Sequence, residues 1–313
     1  MEDDKDVIHR PEAVVERRND IFIGKNGLRA GWRLATYWAI VAGSATVIAT
    51  LIGMFFHVRA GVPGVWGQLA QEVIGFAVAF GAAVVMSRIE KRPVGVYGLP
   101  GNEFFGSKFW LGFLFGLVEI SVLIGLIGAL GGYSFGTFAL QGRAIFLWGA
   151  FHLVMFTMVG FFEEFLFRGY TQYTLGEGIG FWPAAFVVSF LFGAVHLGSG
   201  NVGENVFGAA GIVVVGLLFC FTLWRTGSLW YAVGMHASFD WGETYLYSVP
   251  NSGTYMQGHL SNPVIHGPSW LTGGTVGPEA SVFCFLTMGL QFLVVMWLFP
   301  GKKKDEERVE EKI

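Results

Sequence analysis

Three short strings place ionisable side chains inside strongly apolar stretches. The first is Phe161-Phe162-Glu163-Glu164-Phe165-Leu166-Phe167-Arg168. The second is Phe192-Gly193-Ala194-Val195-His196, and the third is His236-Ala237-Ser238-Phe239-Asp240. An ionisable group in hydrocarbon is costly unless paired, hydrated or protonated, so such groups mark function or internal pairing. On a helix, Glu164 and Arg168 lie four apart and can pair, while Glu163 points about 100° away. One carboxylate can then be held in an ion pair while its neighbour faces a cavity as a general base. His236 and Asp240, also four apart, share one face. Glutamate and histidine together supply a base for water and a proton for a leaving amine, which is the chemistry of peptide hydrolysis. The plain alternatives are snorkelling side chains at a helix end for the first string, a buried hydrogen-bonded histidine for the second, and an internal His–Asp bond for the third.

The elements that must position these residues follow from composition. Of 313 residues, 53% are hydrophobic and only 14% charged, with 31 Phe and 11 Trp. Soluble domains carry about 25% charged residues, so the fold class expected is all-α, a polytopic membrane helix bundle. A net charge of −3 offers no basic surface for nucleic acid. Cys220 and Cys284 fall in separate apolar segments, expected near opposite membrane faces, which argues against a disulfide or a thiolate metal site. The first 30 residues are polar and mixed in charge and read as a tail rather than a signal peptide.

A hydrocarbon core of about 30 Å takes roughly 20 apolar residues per helix. Eight spans are expected, at about 33–56, 66–87, 109–131, 146–170, 181–198, 206–224, 229–247 and 281–299. The fourth can run on to about Leu175, and the fifth, with Pro183 in its first turn, is the shortest. Eight spans put all Lys and Arg except Arg59 and Arg143 on one side, so the positive-inside rule places both termini in the cytoplasm. The domain reading is a cytoplasmic tail at 1–30, one membrane domain at 31–300 with its motif core at 140–247, and a charged tail at 301–313. Depth is a check on whether the groups meet. At 1.5 Å per residue, His236 and Asp240 lie roughly 10–17 Å from Leu229, Glu163 about 18 Å from Leu175 and His196 about 22 Å from Phe181. His196 joins the others only if the fifth helix is tilted or starts later.

Other intramembrane chemistries lack their residues. There is no H-E-x-x-H, no G-x-G-D aspartate pair and no G-x-S-x-G serine, and neither cysteine has a polar sequence neighbour to activate it.

The three strings, in this order and in the fourth, fifth and seventh spans, resemble the CPBP intramembrane proteases, also called the type II CAAX prenyl endopeptidase or Abi family. That family carries E-E-x-x-x-R, F-x-x-x-H and H-x-x-x-N/D. The resemblance covers about 140–247, with the Glu90-Lys91-Arg92-Pro93 loop also similar. It implies a metal-independent glutamate-type endopeptidase without cofactor, acting on a membrane-associated protein or lipidated peptide among membrane lipid, in a prokaryotic cell membrane. Glu163 and His196 would activate water, Glu164 and Arg168 would orient the site beside Phe192, and His236 and Asp240 would stabilise the oxyanion or bind substrate. The best-studied family members that cleave CAAX substrates carry Asn at the last position, where this chain has Asp240. Asp240 cannot donate to an oxyanion while ionised, so it would have to be protonated or to orient His236. The Glu/His/His/Asp set could also hold Zn²⁺, a reading ranked below metal-free hydrolysis. A non-enzymatic scaffold or immunity-type partner, and a proton-coupled transporter using Glu119 and His152, are the competing functions. Glu243 is expected at the interface, and His259, His266 and Trp270 in an outer loop at 248–280 that could form a lid.

Overall fold

The computed structural model describes residues 21–24, 27–56, 64–198 and 206–300. The tail at 301–313 and most of that at 1–30 lie outside the described residues, as do Arg59 and Ser199-Gly200. A two-residue pairing of β1 (Ile23–Gly24) with β2 (Gly27–Leu28) leads into a helical bundle. Its helices are α1 (Ala30–Phe56), α2 (Val65–Glu90), α3 (Ser107–Ala129), α4 (Arg143–Glu164), α5 (Gln172–Ile179), α6 (Phe181–Gly198), α7 (Val206–Thr226), α8 (Trp230–Trp241), a single turn α9 (Ser269–Thr272) and α10 (Val282–Leu298). An antiparallel ribbon of β3 (Tyr133–Phe138) and β4 (Ser261–Ile265) pairs Tyr133 with Ile265 and Phe138 with Ser261.

The bundle is apolar outside and polar within. Phe146, Trp297 and Phe55 are among the exposed large hydrophobic side chains, whereas Glu119, His152, Glu164, Arg168 and Gln291 are buried. This inversion of the soluble pattern suits a lipid surround. Together with several long apolar helices it makes the chain an integral membrane protein.

The count of eight full spans is not met. Five helical runs have the length and apolarity to cross a membrane: Ala30–Phe55, Val65–Glu90, Ser107–Ala129, Arg143–Ile179 and Gly208–Thr226. Phe181–Leu197 and Val282–Leu298 are shorter apolar helices. The expected span at 229–247 is divided: α8 has only 12 residues and passes into a π-helical segment, Gly242–Leu246. A long helix could be read from apolar length there, but not the change in hydrogen bonding at Gly242.

The fourth helix does continue past its apolar core. A π-helical stretch, Phe165–Thr171, joins α4 to α5, with non-helical backbone at Gly169. The whole run of 37 residues is about 55 Å long at 1.5 Å per residue, well beyond the hydrocarbon thickness. Its far end carries Glu177 into a polar clamp. Arg33 on α1 bridges Glu90 and Glu177, Arg92 contacts Glu177 and Tyr173, and the Tyr170 hydroxyl donates to Glu90. The Glu90–Pro93 loop therefore ties α1, α2 and α5 together at one end of the bundle.

Helix α8 is its axis. All side chains from Trp230 to Met235 are buried. Close approach to α3 needs glycine on both helices. A Cβ on Gly112 would stand 2.0 Å from the Tyr231 carbonyl oxygen, one on Gly116 2.2 Å from that of Met235, and one on Gly234 2.1 Å from that of Phe109. Gly112 and Gly116 form the small-xxx-small spacing that lets membrane helices pack backbone to backbone. The start of α8 is pinned by a Leu229 N–H to Gly98 carbonyl bond of 2.7 Å and by the Trp230 indole on the Pro100 carbonyl at 3.2 Å.

Candidate active site

The helices line an open cavity of about 500 Å³. Glu163 from α4, Phe192 and His196 from α6, and His236 and Asp240 from α8 all line it. Glu164 and Arg168 lie just behind the wall and are fully buried.

Glu164 holds the arrangement together. Its Oε1 accepts from Arg168 Nη1 at 3.2 Å and from His236 Nδ1 at 3.1 Å. The opposite ring nitrogen, His236 Nε2, faces Asp240 Oδ2 at 3.5 Å and Glu163 Oε2 at 3.7 Å. The imidazole is thus suspended between carboxyl groups from two helices, and its plane stacks on Phe219 with ring centroids 5.4 Å apart. The distance to Glu163 exceeds hydrogen-bond length, so the contact is one of charge or of a bridging group. The 100° offset of adjacent helical residues has the expected effect: Glu164 turns inward to Arg168 while Glu163 faces the cavity.

Phe192 acquires a physical role. The Arg168 guanidinium carbon stands 4.2 Å above its ring, within cation–π range. A Cβ on Gly216 would meet Arg168 Nη2 at 2.7 Å, so α7 also leaves room for the guanidinium. His196 directs Nδ1 to the Phe192 carbonyl at 2.8 Å. With Nδ1–H donating there, the neutral tautomer carries its lone pair on Nε2.

Two π-helical segments adjoin the cavity-lining helices α4 and α8. One follows Glu164 directly and carries Arg168; the other begins two residues after Asp240 and carries Glu243. Such insertions change which face subsequent residues present and are frequent at functional sites.

Several lining residues lay outside the motif-based reading. Gln68, Gln71 and Glu72 of α2 reach the cavity, as do Asn251, Ser252, Thr254 and Met256 of the loop after α8. Glu72 could have been found by applying to the second span the rule already applied to Glu119 in the third; the loop residues carried no spacing signal. Glu243, expected at the interface, is instead buried and lines the same cavity as Glu279, because the 248–280 loop folds back over it. The Ser252 N–H donates to Glu279 Oε1 at 2.5 Å. Burial raises the Glu279 carboxyl above its ordinary range, against the bonds from Glu243 and Ser252. Glu119 also lines the cavity, whereas His152 is held by the Gln257 carbonyl at 3.0 Å, the plain hydrogen-bonded outcome. Cys220 and Cys284 are free, buried thiols. Among the described residues, no group of three or more His, Cys, Asp or Glu is disposed to hold a metal ion.

A helical membrane protein with carboxylate and imidazole groups converging on an internal cavity is the class these features define. Residues 144–242 match the family model described as Type II CAAX prenyl endopeptidase Rce1-like. The matched segment spans Glu163, His196, His236 and Asp240. It covers just under a third of the chain. No curated protein and no solved structure matches the chain.

Proposed function

We propose that this chain is an intramembrane endopeptidase that hydrolyses a peptide bond in a membrane-associated, prenylated protein, using water activated by Glu163 and His196. The observation that carries this reading is the convergence of Glu163, His196, His236 and Asp240, from three helices, on one cavity inside the segment with the Rce1-like match.

In the proposed reaction Glu163 takes a proton from water as its oxygen attacks the scissile carbonyl carbon. His196, its Nδ1 anchored on Phe192, presents Nε2 to the same water or to the leaving amine. The developing oxyanion is stabilised by a donor on His236 Nε2, held in place by Glu164 on the other ring nitrogen. When the carbon–nitrogen bond breaks, the proton passes from Glu163 or His196 to the amine. Asp240, 3.5 Å from His236 Nε2, is assigned to orienting that ring rather than to binding the oxyanion itself. The chain needs no cofactor in this scheme.

The test is cleavage of a farnesylated C-a-a-X peptide and of a panel of unprenylated membrane peptides by purified protein. Wild type, Glu163→Gln and His196→Ala run side by side, with and without chelator. Loss of cleavage in both variants with no chelator effect supports the reading. Loss of wild-type activity on chelation shows that a metal takes part. Absence of cleavage by folded wild type on all substrates favours a binding scaffold.

A further inference from the structure

Six carboxyls line the cavity, and the proposed hydrolysis uses Glu163 and Asp240 among them. Three of the rest have partners of their own: Glu119 bonds Thr287 and Gln291, and Glu243 and Glu279 bond each other. Glu72 on α2 does not. Neither a hydrogen bond nor an ion pair ties it to any described residue, yet it is only half-buried and lines the cavity. The groups that act on it through space are Glu163, His236 and Asp240. A carboxyl in an apolar span without an internal partner is costly, so this one calls for a donor that arrives with a ligand.

Packing fixes where Glu72 stands. A Cβ on Gly75 of α2 would fall 2.8 Å from the Phe162 ring, and one on Gly160 would fall 3.6 Å from the His236 Cβ. Phe162 and Gly160 are two residues apart on α4, about 200° around the helix, so α2 and α8 flank α4 on opposite sides. Val159 and Glu163 point into the sector between them and line the cavity. Helix α4 is thus the back wall, with α2 and α8 as side walls. Helices α2 and α4 run in the same direction, since Tyr170 beyond α4 donates to Glu90 at the end of α2. Glu72, three residues before Gly75, is therefore level with Val159, three before Phe162. Gly160, the next residue, is the one that abuts His236. Carboxyl and imidazole face each other across the cavity at one level.

In a trans peptide group the carbonyl oxygen and the N–H point in opposite directions. With the oxygen on His236 Nε2, the N–H of the scissile bond is aimed at the α2 wall. We infer that Glu72 is a further catalytic residue, whose carboxylate accepts the scissile N–H from the wall opposite the oxyanion donor. Glu72 takes no proton in the reaction. It holds the nitrogen in place while the carbon–nitrogen bond breaks, and the lone pair so freed takes its proton from Glu163 or His196. The role rests on the protease reading, because it needs a peptide bond cleaved beside Glu163.

Purified full-length protein in nanodiscs is given a farnesylated C-a-a-X peptide and the same chain with an ester oxygen in place of the scissile N–H. Wild type, Glu72→Leu and Glu72→Gln run side by side, with thermal melts to confirm folding and Glu72→Met in place of Glu72→Leu should that variant not fold. Glu72→Leu, which has no acceptor, is expected to lose at least about tenfold more in kcat/KM on the peptide than on the ester, the lower end of one charge-assisted hydrogen bond. Glu72→Gln keeps an acceptor oxygen and should recover part of that difference. Equal losses on peptide and ester, or no loss on the peptide, overturn the contact while leaving the protease intact. Should wild type cleave neither substrate, the protease reading fails by itself, and fluorescence anisotropy with the two labelled substrates decides the contact. Peptide binding tighter than ester binding, with the difference lost in Glu72→Leu, upholds it; equal binding overturns it.

Discussion

Glu164 is a single buried carboxylate with two duties, and replacing it separates structure from chemistry. Glu164→Gln keeps the shape and one acceptor oxygen but removes the charge that pairs Arg168 and His236. Both members of the Glu164–Arg168 pair have fully buried side chains, so the substitution leaves a guanidinium in the bundle interior with no carboxylate beside it, facing the rings of Phe192, Phe167 and Phe219. Breaking a buried pair at one partner typically costs about 3–5 kcal/mol. The retained acceptor offsets part of this, so about 3 kcal/mol of lost stability is expected, read as a fall of several degrees in thermal unfolding in detergent. Removing the stranded cation as well, in Glu164→Gln with Arg168→Met, should recover most of that loss. Activity should behave differently. His236 loses its anchor in both variants, and loose positioning of a reacting group costs on the order of 10²-fold in rate. Recovery of stability without recovery of cleavage is therefore the expected pattern. A Glu164→Gln protein as stable as wild type, or a double variant restored in activity, would refute the assignment of Glu164 as the anchor of His236.

Further expectations follow from other contacts. Phe192→Leu removes the aromatic face 4.2 Å from the Arg168 guanidinium and should lower stability by about 1–2 kcal/mol in the same melt. Gly234→Ala, whose Cβ would fall 2.1 Å from the Phe109 carbonyl, should force α8 off α3 at a cost of about 1–3 kcal/mol; Gly81→Ala on α2, with open space around it, is the control expected to melt as wild type does. Arg33→Met cuts the bridge between Glu90 and Glu177 and should loosen the α1–α5 clamp, seen as faster amide exchange in α5. Single cysteines placed in the two charged tails should be labelled from the same side of sealed vesicles, the outcome expected from the positive-inside reading of the sequence.

The helical membrane class and the grouping of the three strings were legible because both depend on local rules. Ionisable residues stand out in apolar sequence, and four-residue spacing fixes a shared helix face, as the Glu164–Arg168 pair demonstrates. The π-helical turns after Glu164 and Asp240 were not legible, since their extra residue leaves no trace in hydropathy. The second of them accounts for the shortness of α8, which hydropathy merged with Gly242–Leu246 into one span. Glu72 and Glu279 were missed for different reasons. Glu279 sits in a loop and is placed only by the fold-back of that loop onto Glu243, whereas Glu72, an ionisable group in an apolar span, carried the same signal as Glu119, and the packing of α2 on α4 brings it to the cavity. Phe192 was visible as part of a pattern, but its physical work, carrying the Arg168 charge, needed the structure.

The most direct test of the central claim is the rate of peptide cleavage by Glu163→Gln relative to wild type in proteoliposomes, with peptide binding measured on the same samples. An isosteric amide keeps the cavity shape but cannot take a proton from water. The account predicts a loss of at least about 10²-fold in rate, in line with removal of a general base, with binding little changed. Cleavage by Glu163→Gln at the wild-type rate would contradict it.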